Sequence, residues 1–316
     1  MQNGIVSVIG CGLIGQSWAI AFARAGHTVR LFDHVPQAAA AALAEIGRTL
    51  HDPVAANLRP QDSAEATLGR ICCAQSLPEA VAGAVHIQEN VPELLDVKRH
   101  VFAELDAAAD PSSVIASSSS ALLPSSFAMG LAGSPRCLVA HPLNPPHLIP
   151  AVEIVPSPET APGAIVATRN FFAAIGQRPV VLHREIEGFV MNRLQGALLD
   201  EAFTLVGRGY ASVEDIDTAM RDGLGRRWAF MGPFETIDLN APGGVAAFIE
   251  RYGPAYAEIG RERPSREAWS GNLAETVVAA RRAALPESDL PARRAWRDAR
   301  LAEMAAEAHS FDQKEK

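Results

Sequence analysis

Ile5-Val6-Ser7-Val8-Ile9 runs directly into Gly10-Cys11-Gly12-Leu13-Ile14-Gly15, and a helical stretch from Gln16 to Ala25 follows before Gly26. An apolar strand, a glycine turn and a helix start, in that order, decide the fold. The first glycine permits a tight turn, the second lets the backbone approach a pyrophosphate, and the third lets helix and strand pack closely. The free amides and the dipole at the helix start favour the anion. Gly10, Gly12, Leu13, Ile14 and Gly15 are therefore candidate cofactor contacts. The next apolar run, Thr28 to Phe32, ends in Asp33, whose carboxylate suits the adenosine ribose hydroxyls and repels a 2′-phosphate. His34, Val35 and Pro36 bring no Lys or Arg to neutralise such a phosphate, so the expected cofactor is NAD rather than NADP.

Working outward, apolar runs near 5–9, 28–32, 84–88, 113–116, 137–140, 151–155 and 178–182 alternate with amphipathic, Ala-rich stretches. That alternation predicts a parallel sheet with crossover helices. After Glu187-Gly188 the pattern changes. Phe189 to Arg208 carries apolar residues at helical spacing and stops at Gly209, Ser212 is placed to cap a helix over Val213 to Met220, and no alternating strand follows. The fold class expected is α/β, a Rossmann-type dinucleotide-binding domain over residues 1–187 followed by an all-helical, substrate-binding and dimerisation domain over 188–316. The charged end, Lys314-Glu315-Lys316, is expected to fray.

With 316 residues, 48% of them hydrophobic, the chain is long enough for two cores. Lys and Arg total 28 against 36 Asp and Glu, a net charge of -8 that offers no general attraction to nucleic acid or an anionic membrane. No apolar run approaches the ~20 residues of a membrane span, and the start of the chain lacks the pattern of a secretory signal. The four cysteines, at 11, 72, 73 and 137, form no CxxC pair and have no histidines at zinc spacing. A reduced, cytoplasmic protein without a metal site is expected.

Chemistry must come from elsewhere than the dinucleotide fold. The run Cys137 to Ala140 ends at His141, at the strand end where ligands lie in open α/β sheets. A proline-stiffened segment, Pro142 to Pro150, leads into Ala151-Val152-Glu153-Ile154-Val155. If the two runs pair as a hairpin, Glu153 comes beside His141. An imidazole next to a carboxylate is what alcohol oxidation requires: the ring removes the hydroxyl proton as hydride leaves carbon, and the acid stabilises the imidazolium.

These residues bring a resemblance into view. Gly10 to Gly15, the serine run Ser117 to Ser120, His141 with Asn144-Pro145, Glu153, and Gly188-Phe189-Val190-Met191-Asn192-Arg193 are similar to the 3-hydroxyacyl-CoA dehydrogenase superfamily. Ala140 to Pro146, Val155-Pro156-Ser157-Pro158-Glu159-Thr160, Asp222-Gly223-Leu224-Gly225 and Ala229-Phe230-Met231-Gly232-Pro233 resemble its branch of lambda-crystallin and L-gulonate 3-dehydrogenase, and the similarity extends to Arg294-Ala295-Trp296-Arg297-Asp298. The resemblance implies that His141 is the base and Glu153 its partner. It also implies that Ser120 and Asn192 hydrogen-bond the reacting oxygen and adjacent substrate groups, that Glu93 and Lys98 contact the cofactor, and that the helical domain pairs into a homodimer. Composition alone does not choose among the four serines; the alignment with the family does. Ser118 stands where acyl-CoA members often have Asn, which leaves its own contact open.

The substrate class divides on charge. Acyl-CoA members use cations after the second strand to hold coenzyme A, whereas residues 38–66 have only Arg48 and Arg59 against Glu45, Asp52, Asp62 and Glu65. Arg226-Arg227 carries guanidinium forks suited to two-point binding of a free carboxylate, so Arg226 or Arg227 is the candidate substrate anchor. The reading is NAD-dependent oxidation of the C3 hydroxyl of a small, L-gulonate-like 3-hydroxy acid. The alternatives are a short-chain L-3-hydroxyacyl-CoA dehydrogenase, an L-carnitine 3-dehydrogenase, and a non-catalytic, NADH-binding structural protein.

Overall fold

The computed structural model describes residues 4–51, 63–261 and 271–312. Asp52, Arg59 and Asp62 of the stretch weighed for coenzyme A, and the terminal Lys314-Glu315-Lys316, lie outside the described residues. The chain forms two compact units, one of Met1–Asn192 with Arg293–Lys316 and one of Arg193–Ala292.

The first unit is built on an eight-stranded sheet: β1 (Ile5–Ile9), β2 (Thr28–Phe32), β3 (Ile71–Cys73), β4 (Ala84–Glu89), β5 (Val114–Ser117), β6 (Cys137–Pro142), β7 (Ala151–Pro156) and β8 (Arg178–Val181). Their spatial order is β3-β2-β1-β4-β5-β6-β7-β8. All neighbours are parallel except β6 and β7, which pair antiparallel. Helices α1 (Leu13–Arg24), α2 (Ala38–His51), α3 (Ala64–Leu68), α4 (Leu77–Val81), α5 (Leu95–Ala108), α6 (Pro124–Ala128) and α7 (Pro162–Ala174) connect them. The seven expected strands are present within a residue or two. The additional one, Ile71–Cys73, is too short to show a period of its own.

Alternation along the strands sorts apolar side chains to two faces. Val6, Val8, Val29, Leu31, Ala116, Leu138, Ala140, Val152 and Ile154 join Trp18, Phe22, Phe171 and Phe172 on one side. Ile87, Ile115, Val139 and Val155 join Val101, Phe102, Leu105 and Phe127 on the other. Burying both faces is what a parallel sheet requires. Within the first cluster His86 stacks on Phe171 with ring centroids 4.4 Å apart. Burial lowers its pKa to about 4, against the opposing hydrogen bond to Gln88, so His86 is a neutral core residue.

After β8 the described chain is helical: α8 (Met191–Gly207), α9 (Val213–Thr218), α10 (Gly225–Trp228), α11 (Pro233–Leu239), α12 (Gly244–Arg261), α13 (Gly271–Ala284) and α14 (Leu290–Asp312). Gly209 ends α8 with φ +72°. Ser212 caps α9 through a reciprocal box with Asp215, and a π-helical turn, Ala219–Leu224, takes over where the sequence reading had continued the helix to Met220.

The glycine turn separates structural from open positions. A Cβ at Gly15 would stand 2.1 Å from the Gly10 carbonyl oxygen, so only glycine allows α1 to sit this close to β1. A Cβ at Gly12, where φ is -70°, would meet nothing within 4 Å. Gly15→Ala is expected to lower the melting temperature by several degrees, since overpacking costs about 1–3 kcal/mol. Gly12→Ala is expected to melt like the wild type yet bind NADH roughly tenfold more weakly or worse, because its methyl intrudes only on a ligand. Thermal melts and NADH titrations check both; equal damage to folding at the two positions would contradict this division.

Candidate active site

Asp33, at the end of β2, closes the turn onto the sheet: Oδ2 accepts the Cys11 amide at 2.8 Å and Oδ1 accepts the Val35 amide at 2.9 Å. Burial pushes the Cys11 thiol up to about 12, with Asp33 and Cys73 adding to the effect, so it is no nucleophile. All four cysteines are free. Gly12 begins α1 without a side-chain cap, the space above it is open, and a carboxylate stands at the end of the neighbouring strand. That combination fits a dinucleotide: amides for the pyrophosphate, Asp33 for the ribose.

The antiparallel β6–β7 pair sets His141 opposite Glu153 in register. Their side chains meet, with His141 Nδ1 at 2.7 Å from Glu153 Oε2, and both are buried. The other carboxylate oxygen, Oε1, accepts the amides of Val190 at 2.7 Å and Met191 at 2.9 Å. A left-handed double turn presents those amides, Gly188 at φ +74° and Phe189 at φ +49°. Such a φ is costly for a residue with a side chain, by about 1–3 kcal/mol; the Phe189 ring is fully buried and packs 5.5 Å from the His141 ring. Glu153 thus receives three hydrogen bonds, as a buried carboxylate must. With Nδ1 engaged, Nε2 of His141 has no partner among the described residues.

The strand β5 leads into the four serines, and their hydroxyls divide sharply. Ser117 donates to Glu89 Oε2 at 2.6 Å. Ser118 accepts from Trp18 Nε1 at 3.0 Å and Gln88 Nε2 at 2.8 Å and donates to Asn90 Oδ1 at 2.7 Å, which uses its whole capacity. Ser119 donates to Glu93 Oε1. Ser120 alone has a hydroxyl without a protein partner among the described residues. Its carbonyl accepts Asn192 Nδ2 at 2.8 Å, and Asn192 directly follows Met191, which Glu153 holds. His141 and Glu153 are thereby linked to Asn192 and Ser120 through the consecutive residues Met191 and Asn192.

Glu93 and Lys98 bond to the same serine run. The Glu93 carboxylate accepts the amides of Ser120, Ala121 and Leu122. Partial burial opposes its ionisation, but the Ser119 hydroxyl and these amides outweigh that and hold the carboxyl below its ordinary value. Lys98 is buried, with Nζ 3.0 Å from each oxygen of Glu89 and 3.3 Å from Val91 O and Ser117 Oγ. Burial pushes the Glu89 carboxyl up against the pull of Lys98, Ser117 and Val91. Sequence reasoning missed Glu89. The signal was available: Lys98 shares the buried stripe of α5 with Val101, Phe102 and Leu105, and a lysine on an apolar face needs an acid opposite.

Arg226 and Arg227 lie in the second unit, on the single turn of α10 that continues the π-helical segment. Arg226 is exposed and Arg227 half-buried. Among the described residues no group of His, Cys, Asp and Glu is arranged to hold a metal ion, and no helix is long and apolar enough to cross a membrane.

Two family models match the chain: the NAD-binding domain of 3-hydroxyacyl-CoA dehydrogenase over residues 5–186 and the C-terminal domain of the same family over residues 188–284. The chain is 45% identical over 313 residues to a lambda-crystallin homolog of Bos taurus, covering 98% of this chain and 97% of the relative. It is 40% identical over 252 residues to an L-carnitine dehydrogenase of Streptomyces griseus, covering 79% and 74%. Among solved structures, an NAD+-dependent dismutase, 5-formyl-3-hydroxy-2-methylpyridine 4-carboxylic acid 5-dehydrogenase, superposes with a TM-score of 0.81 at 26% identity, covering 96% of this chain and 97% of that one. The glycine turn with its strand-end acid, and the matched domains in order along the chain, place this protein in the 3-hydroxyacyl-CoA dehydrogenase family as an NAD-dependent oxidoreductase.

Proposed function

We propose that the chain oxidises the C3 hydroxyl of a small free 3-hydroxy acid, L-gulonate or a close analogue, to the 3-keto acid, with His141 as general base. The observation that carries this is the 2.7 Å bond between His141 Nδ1 and a Glu153 carboxylate that two backbone amides hold from its other side. Nε2 is then the nitrogen left to take the hydroxyl proton, and Glu153 stabilises the imidazolium that results. Bound NAD supplies the acceptor for the hydride leaving C3. The free hydroxyl of Ser120 and the amide of Asn192 hydrogen-bond the reacting oxygen and its neighbours, orienting the carbinol before the proton moves. The turn Gly10–Gly15 and Asp33 hold the dinucleotide.

A free acid is favoured over a coenzyme A thioester because the described part of the stretch after β2 has one cation, Arg48, and it is paired with Glu45. Arg226 or Arg227 would anchor the carboxylate, as part of a substrate-binding and dimerisation domain over residues 188–316. An acid bearing a quaternary ammonium is the second reading, supported by the 40% identity to an L-carnitine dehydrogenase.

A second copy of the chain is the partner we propose. No residue of α8 is buried, Leu194 and Leu198 lie exposed one turn apart, and α12 shows a row of Ile249, Tyr252, Tyr256 and Ile259. Exposed apolar side chains that line up along a helix in this way suit contact with another protein surface. The free thiols accord with a cytosolic setting. Sedimentation equilibrium is expected to give twice the chain mass; a monomer at micromolar concentration would remove the dimer.

The activity is tested by NADH formation at 340 nm with L-gulonate, L-carnitine, L-3-hydroxybutyrate and its coenzyme A thioester. L-Gulonate is expected to give the highest kcat/KM. His141→Gln should still bind NADH and lose at least ~100-fold in kcat, and Arg226→Met or Arg227→Met should raise KM for the acid. Near wild-type turnover in His141→Gln removes the mechanism. Silence on all four substrates with NADH binding intact would favour a binding-only protein.

A further inference from the structure

Three consecutive amides that converge on one point form a concavity that ordinarily receives an anion. In the first unit the amides of Ser120, Ala121 and Leu122 converge in this way, and the anion is the chain's own Glu93. Its Oε1 accepts Ser120 N at 3.0 Å, Ala121 N at 2.9 Å and Leu122 N at 3.1 Å, together with the Ser119 hydroxyl; Oε2 shares the Ser120 amide at 3.0 Å. From the opposite side the Ser120 carbonyl accepts Asn192 Nδ2 at 2.8 Å. Both backbone polar groups of Ser120 are clamped, and only its hydroxyl is left free.

The donors in this arrangement all come from the serine loop. Hydrogen bonds to a carboxylate are roughly twice as strong as neutral ones, so four of them outweigh the tendency of an exposed loop to sample other conformations. Glu93 itself stands on a short segment that is anchored independently. Leu94 N bonds Pro92 O at 2.7 Å, and Val91 N bonds the buried Glu89 at 2.6 Å, while Lys98 ties Glu89 and the Val91 carbonyl to α5. The buried pair fixes the segment, the segment presents Glu93, and Glu93 sets the loop.

We infer that Glu93 is a positioning residue that acts through Ser120, fixing the loop so that the one free serine hydroxyl meets the substrate oxygen. The inference rests on the proposed substrate role of Ser120. It differs from a cofactor-contact role for Glu93 in what it predicts: loss of the carboxylate should harm turnover and spare NADH affinity.

The test is a double-mutant cycle on the full-length protein with Glu93→Gln and Ser120→Ala, read as kcat, KM and NADH dissociation constant with L-gulonate or whichever of the four substrates turns over fastest. Ser120→Ala is expected to lower kcat by roughly 100-fold, the lower end of the range for loss of one positioned donor. Glu93→Gln should lower kcat about tenfold in the wild-type background and less than about twofold beside Ser120→Ala, with NADH affinity within about twofold throughout. Amide exchange of residues 120–122 in the NADH-free protein should be faster in Glu93→Gln. Glu93→Asp, which keeps the charge on a shorter arm, should restore part of both the exchange protection and kcat; it replaces Glu93→Gln in the cycle should that variant not fold. Equal fold-losses from Glu93→Gln in the two backgrounds would overturn the inference, as would an NADH affinity that falls in step with kcat. Wild-type kcat in Ser120→Ala would instead remove the serine reading on which it rests.

Discussion

Glu153 is bonded from two directions, and the rest of the site depends on that. One oxygen meets the imidazole of His141; the other meets the amides of Val190 and Met191, where the helical part of the chain begins. A fully buried carboxylate with no such partners would neutralise itself by taking up a proton. Here three donors meet its two oxygens, and an oxygen that accepts from the ring is what keeps a proton on Nδ1 of His141 and leaves Nε2 to act. The amides are available only because Gly188 and Phe189 both turn with positive φ, and the buried Phe189 ring against His141 offsets that strain.

The sheet supplies the same logic at larger scale. Six strands, β1 to β6, run alike, and β7 reverses against β6 with β8 parallel to it, so two residues twelve apart in the chain become direct cross-strand neighbours. A further parallel crossover would have carried residue 153 away from residue 141. Around this pair the strand ends of β4 and β5 deliver Glu89 and Ser117, which Lys98 joins from α5. Each functional side chain proposed for the first unit is therefore held by a neighbour whose own bonds are satisfied, the condition for a site to be organised before substrate arrives.

Much of this was legible from residues alone. The glycine turn announced its strand and helix, and the proline-rich span 142–150 already suggested the hairpin that sets His141 beside Glu153. Strand β3 escaped because three residues show no alternation. The amide clamp on Glu153 escaped for a different reason: a positive φ at a phenylalanine has no signature in sequence. The serines show the limit most plainly. Four identical residues in a row carry no pattern, and only the hydrogen bonds of Ser117, Ser118 and Ser119 reveal that Ser120 is the one with a hydroxyl to spare. Glu93 and Lys98 were read as cofactor contacts by family likeness; their bonds run to the serine loop and to Glu89, partners that spacing along the chain could not name.

The tautomer of His141 tests the central claim most directly. Proton-detected nitrogen-15 spectroscopy of the histidine-labelled protein, at a pH where the ring is neutral, is predicted to show the proton on Nδ1 and an unprotonated Nε2, with the signature lost in Glu153→Gln. A neutral ring with its proton on Nε2 would contradict the account, since the nitrogen left free to accept a substrate proton would then be the one facing Glu153.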